Sequence, residues 1–410
     1  MNLSTNKINT IFHKTSTLLL TSALMLSSGN ALASVEGELG FQARTFVEEG
    51  LADQSQFQSS LSGQIEFDTS LGQGDFVAKV FGRYDFEDDE RTHFDLREAL
   101  WTYYGDSWEL QAGVGKVFWG VTESMHLVDI VNQSDSVENP DGEDKLGQAM
   151  LKFSLERDWG TIDLFWLPYF RERTFVGEDG RLSASPLPVS NDEASYASGA
   201  QEWHSDFAVR YSHYVGELEF ALSHFSGTSR EASFRPNATF SELVPHYHLI
   251  DQTGIELQYI YDSWLLKFEG ITNSGFGDAL GRKGRYSAAV FGFEYTQVGI
   301  FESSADLGWV LEYMFDDRKE HATHAFERDI FAGWRYAFND EDSSEILTGV
   351  IFDPRTEELM FSFEANKRLA SDLKLNIEAR VFHGAESDDQ LKTYGLRDED
   401  YLELELVKYF

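Results

Sequence analysis

Beyond residue 33 this 410-residue sequence holds no apolar run approaching eighteen residues, yet apolar and polar side chains alternate through one segment after another. The last ten residues, Tyr401-Leu-Glu-Leu-Glu-Leu-Val-Lys-Tyr-Phe410, carry the pattern most plainly. In an extended chain successive side chains point to opposite faces, so Leu402, Leu404, Leu406 and Phe410 share one face. Glu403, Glu405, Val407 and Tyr409 share the other. A soluble edge strand fits this segment taken alone, and repetition is what separates the alternatives.

Alternation bracketed by turn residues predicts 18 strands, among them 36–48, 75–87, 107–118, 160–173, 217–227, 249–261 and 399–410. Sixteen strands is the next choice. The links between strands alternate in length. Tight ones fall at 71–74, 105–106, 216, 262 and 370–371, and long ones at 119–146, 175–202, 227–248 and 384–398. Short turns on one rim and long loops on the other are the layout of a closed transmembrane barrel, with both termini at the rim of turns. The expected fold class is therefore all-β: an antiparallel up-and-down transmembrane β-barrel formed by one domain, residues 34–410. No Pro/Ser-rich linker interrupts it.

Residues 1–33 read as an export signal that is cleaved. Lys7 and Lys14 make a positive start, residues 15–26 a short apolar core, and Ala31-Leu32-Ala33 a small-x-small cleavage site. With 33 Lys and Arg against 70 Asp and Glu, the charge balance argues against nucleic acid as a partner. Without cysteine, neither a disulfide nor a thiolate metal site is available. No cofactor is expected.

The closing strand that ends in Phe410 resembles the C-terminal signature of Gram-negative outer-membrane proteins. That resemblance implies export through the Sec pathway to the cell outer membrane and handling by the barrel-assembly machinery through Phe410. It also implies contact with outer-membrane lipid and lipopolysaccharide, and it leaves a homotrimer open. A second resemblance lies in Gly113-Val-Gly-Lys-Val-Phe-Trp-Gly120, followed by Asp129, Asn132 and Asp135. This succession is similar to porin-like outer-membrane barrels, some of which accompany inner-membrane export machinery. Lys116 stands where Gln is common in that pattern, and Asn139-Pro140 comes later than its usual Asn-Pro. The resemblance implies a channel for diffusion of small polar or ionic solutes. Its alternatives are an outer-membrane component of an export or lipid-handling pathway, and a closed barrel that presents its loops.

Strand parity nominates Arg44, Lys79, Arg83, Asp85, Arg97, Arg171, Arg173 and Arg210 as pore-lining residues. Arginines facing carboxylates across a lumen set up a transverse field that orients polar solutes. A salt-bridged lining that only solvates and stiffens the wall needs the same residues, so both readings stand. Loop 119–146 is the candidate constriction, through Glu123, Asp129, Asn132, Asp135, Glu138 and Asp141. Apolar Met125, Leu127, Val128 and Ile130 are placed to hold it against the inner wall. Folded inward, the loop narrows the pore and favours cations; folded outward, it is a solvated acidic loop.

No catalytic residue is assigned, and the chain is not read as an enzyme. His224 with Ser226, and His321, His324 and Asp316, are coincidences that eleven histidines make easy. Asp141-Gly-Glu-Asp144 lacks EF-hand spacing, and His246-x-His248 alone does not make a metal site, so none is assigned.

Overall fold

The computed structural model describes residues 33–185, 187–278, 280–384 and 394–410. The predicted export signal lies outside them except for its last residue, and so does part of the 384–398 link. The first nine strands are β1 (Ser34–Phe46), β2 (Phe57–Leu71), β3 (Gly74–Asp85), β4 (His93–Tyr104), β5 (Trp108–Gly115), β6 (Gln148–Arg157), β7 (Gly160–Leu167), β8 (Ser195–Tyr196) and β9 (Asp206–Val215). Then follow β10 (Leu218–Pro236), β11 (Leu243–Tyr261), β12 (Trp264–Ser274), β13 (Arg285–Gln297) and β14 (Asp306–Asp316). The last are β15 (Ile330–Ala337), β16 (Glu345–Phe352), β17 (Leu359–Ala370), β18 (Leu373–His383) and β19 (Tyr401–Tyr409).

Each long strand pairs antiparallel with the next, and the ring closes where β1 meets β19, from Glu38 opposite Tyr409 to Phe46 opposite Tyr401. The two-residue β8 stands outside the ring, paired in parallel with the end of β11. The ring thus has 18 strands, as the alternation predicts. Its wall is amphipathic by the same parity: Leu39, Phe41, Leu402, Leu404 and Leu406 are exposed on the outer surface, while Gln42, Arg44 and Glu403 are buried within. A closed ring leaves no unpaired edge, which is what allows strands to cross a membrane.

The rim of tight turns follows the links read from the sequence. At Gly72, Gly216 and Asp262 the backbone takes φ of 68°, 62° and 51°, the left-handed region that two-residue hairpins need to match strand twist.

Some strand bounds differ from expectation. The segment 107–118 ends at Gly115, and 160–173 ends at Leu167, because Pro168 has no N–H to continue the ladder. Arg171 and Arg173 therefore sit on a loop rather than a strand. The expected long link 227–248 is mostly paired: β10 and β11 run on past a register shift between Thr228 and Ala232, leaving only 237–242 as the tip. The polar run Ser226-Gly-Thr-Ser-Arg230 hides this extension, since the shift breaks the alternation that marks a strand. A second register shift opposite Lys79 and Val80 leaves Arg97 unpaired between Leu96 and Glu98, which turns its side chain into the barrel with that of Glu98.

Candidate functional site

Residues 116–147, between β5 and β6, fold into the barrel instead of away from it. Their descent begins at two carboxylates on the far wall. Glu269 of β12 accepts hydrogen bonds from the backbone N–H groups of Val121 (2.7 Å) and Thr122 (3.0 Å) and from the Thr122 hydroxyl (2.7 Å). Glu312 of β14 accepts from the N–H groups of Glu123 and Ser124, both at 2.8 Å, and from the Ser124 hydroxyl at 2.6 Å. Backbone leaving a strand carries N–H groups that need acceptors, and a carboxylate with two oxygens can take several at once. Glu269 and Glu312 are 0% and 1% exposed, so here those bonds replace water.

Apolar contacts hold the next stretch. Val128, Ile130 and Val131 join Trp119, Phe165, Ile250 and Ile271 in one buried cluster. Met125 and Leu127 pack against a second, made by Val290, Val310, Met314, Phe331 and Ile351. Met125, Leu127, Val128 and Ile130 are the side chains the sequence nominates to hold the loop against the wall, and Val131 adds to them.

Ion pairs hold the returning arm. Arg83 of β3 grips Glu138 at 2.7 Å, Arg97 reaches Asp135 at 2.5 Å, and Arg380 of β18 reaches Asp141 at 3.3 Å. Within the loop Lys145 meets Asp129 at 3.1 Å, and His126 meets Glu143 at 3.1 Å. Asn132 fastens the two stems, donating to the carbonyls of Gly115 (3.0 Å) and Leu146 (2.8 Å) and accepting from the Val117 N–H (2.8 Å). Glu123 bonds Arg335 of β15 at 2.8 Å.

The nominated arginines divide into two groups. Arg44, paired with Glu403 at 2.6 Å, and Arg83 and Arg97 are buried inside the wall. Asp85 is buried with them, against Arg91 at 2.8 Å. Lys79 with Glu66, Arg171 with Asp95 and Arg210 with Glu256 keep more contact with water. Arg173 donates to the Arg230 carbonyl at 3.1 Å.

Parity reading misses Arg91, Arg181, Glu269, Glu312, Arg335 and Arg380. For Glu312 a signal exists, since it is a carboxylate on the inward parity, opposite the outward row Trp309, Leu311 and Tyr313. Arg181 has no such signal, because it comes from the irregular 168–205 segment. That segment crosses the mouth: Arg181 pairs with Glu399 at 2.9 Å and lies 3.9 Å over the ring of Phe46, while Leu182 packs on Phe46 and Tyr401.

The lumen keeps a cavity of about 320 Å³ along β15 to β19. Glu345, Glu364, Glu378, Glu403 and Glu405 border it, with Asn366, Asn376 and Arg335. Enclosure within the barrel pushes Asp141 and Asp144 up to about 6, with neighbouring carboxylates adding to the effect, although both residues are solvent-accessible. Burial works against the charge on Glu138, but Arg83 outweighs it and holds the carboxyl below its usual range. His126 is raised: burial opposes its charge, and the bond to Glu143 overcomes that.

Eighteen antiparallel strands, tight turns on one rim and an inward loop define the outer-membrane porin type of β-barrel as the fold of this chain. Among solved structures, a BenF-like porin from Pseudomonas fluorescens Pf-5 is similar over 93% of this chain and 98% of that one, with 11% identity and a TM-score of 0.54. OpdQ of Pseudomonas aeruginosa is similar over 93% and 97%, with 13% identity and a TM-score of 0.49. A mutant of the Rh. blastica porin covers 92% and 100%, with 13% identity and a TM-score of 0.43. At such identities the likeness is one of fold. No protein-family model matches the sequence, and no curated protein does.

Proposed function

We propose that this chain is an outer-membrane channel for small polar solutes, constricted by residues 116–147 and selective for cations. The loop rim then faces outward and the turn rim the periplasm, after removal of a signal peptide at residues 1–33. The observation that carries the reading is the division of the lumen. One side is filled by the loop, and the other is a cavity of about 320 Å³ bordered by five glutamates. Arg44, Arg335 and Arg380 pair with Glu403, Glu345 and Glu364 of this set, and Arg335 and Arg380 also with Glu123 and Asp141 of the loop, so three guanidiniums face seven carboxylates and the cavity keeps a negative surplus for a passing cation. Buried Arg83 and Arg97 serve to hold the loop, and the field that a solute meets comes from the glutamates.

Single-channel recording of the refolded mature chain in a planar bilayer tests this, with and without deletion of 125–143. Cation-selective steps that enlarge on deletion are the expected result. A second reading, a shut barrel that displays its loops, is favoured by the buried strap through Arg181 across the mouth. Silence from both proteins would sink the channel and leave that reading in its place.

A further inference from the structure

A second cavity, of about 300 Å³, lies between the inward loop and the walls of β10 to β13. Part of its lining is apolar: Ile130, Ile250 and Ile271 belong to the cluster that holds the loop, and Leu127 and Phe326 add to them. Pro140, Asp141 and Glu143, which also border it, are exposed, so the cavity is open to solvent on that side.

Most charged side chains here are already matched. Those of the loop pair with Arg380 and with each other, Arg230 holds Asp206 at 2.9 Å, and Arg318 and His324 share Asp316 at 2.6 and 3.2 Å. Arg173 and Glu231 are different. Arg173 donates to two neutral acceptors, Gln133 (3.4 Å) and the Arg230 carbonyl (3.1 Å), and Glu231 accepts from the Thr323 hydroxyl (2.5 Å). Among the described residues neither forms an ion pair. Because that carbonyl belongs to the residue before Glu231, a guanidinium and a carboxylate stand near one another, each oriented by neutral partners and each without a counter-charge.

The backbone is shaped to present them. In a regular strand Ser229 and Glu231 would face away from Arg230. Here all three border the cavity, because the register shift between Thr228 and Ala232 breaks the alternation. A third polar group waits on the β12 side. Asn273, 3% exposed, gives its amide N–H to Gln252 (3.1 Å) and leaves its carbonyl oxygen without a donor. A carboxylate ligand alone would face Glu231 and that oxygen with more acceptors, and an amine alone would leave Arg173 unmatched. A solute that carries both charges close together, on an apolar body, matches the whole lining.

We infer that this cavity is a binding site for a free α-amino acid with an apolar side chain. Arg173 takes the carboxylate, Glu231 and the Asn273 carbonyl take the ammonium, and the side chain lies along Ile250 and Ile271. The inference gives the proposed channel a solute class, and it rests on that reading only for the route by which the solute arrives. Groups that are fixed before the ligand comes lose little freedom when it binds.

Calorimetric titration of the refolded full mature barrel in detergent tests this, with L-leucine, leucinamide (no carboxylate) and isocaproate (no ammonium) as probes. Leucine is expected to bind at least about tenfold more tightly than either analogue, one charge-assisted bond being worth that much. Arg173→Gln should lose about tenfold for leucine and nothing for leucinamide; Glu231→Gln should lose as much for leucine and nothing for isocaproate. Retained binding of the unaffected analogue, with heat-modifiable mobility on gels, shows that each variant is folded. Leucine that binds no better than its analogues, leucine affinity unchanged in both variants, or no saturable binding of leucine up to its solubility limit would each overturn the inference. A conducting barrel that does not bind leucine would sink the site and spare the channel, whereas binding by a barrel silent in bilayers would do the reverse.

Discussion

A buried carboxylate that accepts backbone N–H groups cannot be replaced by its amide without leaving donors facing donors. Glu269→Gln and Glu312→Gln should therefore loosen residues 121–124, each by about 1–3 kcal/mol. Limited proteolysis between 116 and 147, together with larger and noisier conductance steps, would report it. Unchanged cleavage in both variants would mean that the clusters around Val128 and Leu127 suffice to hold the loop. The acid end of the loop gives a pH dependence whose sign can be worked out. Asp141 and Asp144 are raised from an ordinary 3.8 to about 6, so their contribution to the inward state is complete below about 4 and is lost as pH rises through about 6. His126, also raised, acts in the same direction, its share being lost as pH climbs above 6.5. Glu138 and Glu143 are lowered from 4.5, so theirs is lost only as pH falls below that value. Between pH 5 and 7.5 the first group governs, and the protection of amides in 120–145, taken relative to their intrinsic exchange rate at each pH, should be greater at pH 5. Asp141→Asn with Asp144→Asn should flatten most of that difference; a slope that survives intact would point to His126.

At the level of the strand, one residue in two faces lipid, and substitutions should report the face sharply. Leu404→Lys puts a charge on the outer surface and should cost about 2–4 kcal/mol near the middle of the bilayer, seen as a lower urea midpoint for the refolded barrel. Glu405→Lys, one position on and facing the lumen, should leave that midpoint nearly unchanged. Equal losses would mean that the strand is rotated from the arrangement in which Leu404 is exposed and Glu403 buried. This parity is why the barrel is legible in the sequence. Alternation fixes the face, Gly and Asp turns fix the hairpins, and closure then requires only that the last strand meet the first. Where alternation fails, so does the reading: Pro168 ends a strand early, and the shifted register at Thr228 conceals a long hairpin. The inward loop was half legible. Its apolar residues 125–130 announced a wall contact, yet the carboxylates that receive it lie 147 and 189 residues further along the chain. Ring closure brings them near, and no local pattern could have named them.

Across the whole molecule the question is whether selectivity arises from net charge or from a narrow place. A chain of charge -37 spreads a negative potential over both mouths, and that alone gives cation preference in dilute salt. Such a field decays over a Debye length of roughly 10 Å at 0.1 M and about 3 Å at 1 M, so a wide pore loses its preference as salt rises. In the constricted lumen proposed here, a permeating ion instead passes within a few ångströms of Glu345, Glu364 and Glu405, where little electrolyte intervenes. Cation preference measured as a reversal potential under a tenfold KCl gradient should then persist at a mean concentration near 1 M. Deleting 125–143 should make it collapse at that concentration while leaving the low-salt value largely in place. Glu345→Gln, Glu364→Gln and Glu405→Gln together should reduce it at both. If the intact channel is cation-selective only in dilute salt, the glutamate wall is too far from the ion path to act on it. The passage must then run elsewhere, with the surface charge of the mouths as the source of preference.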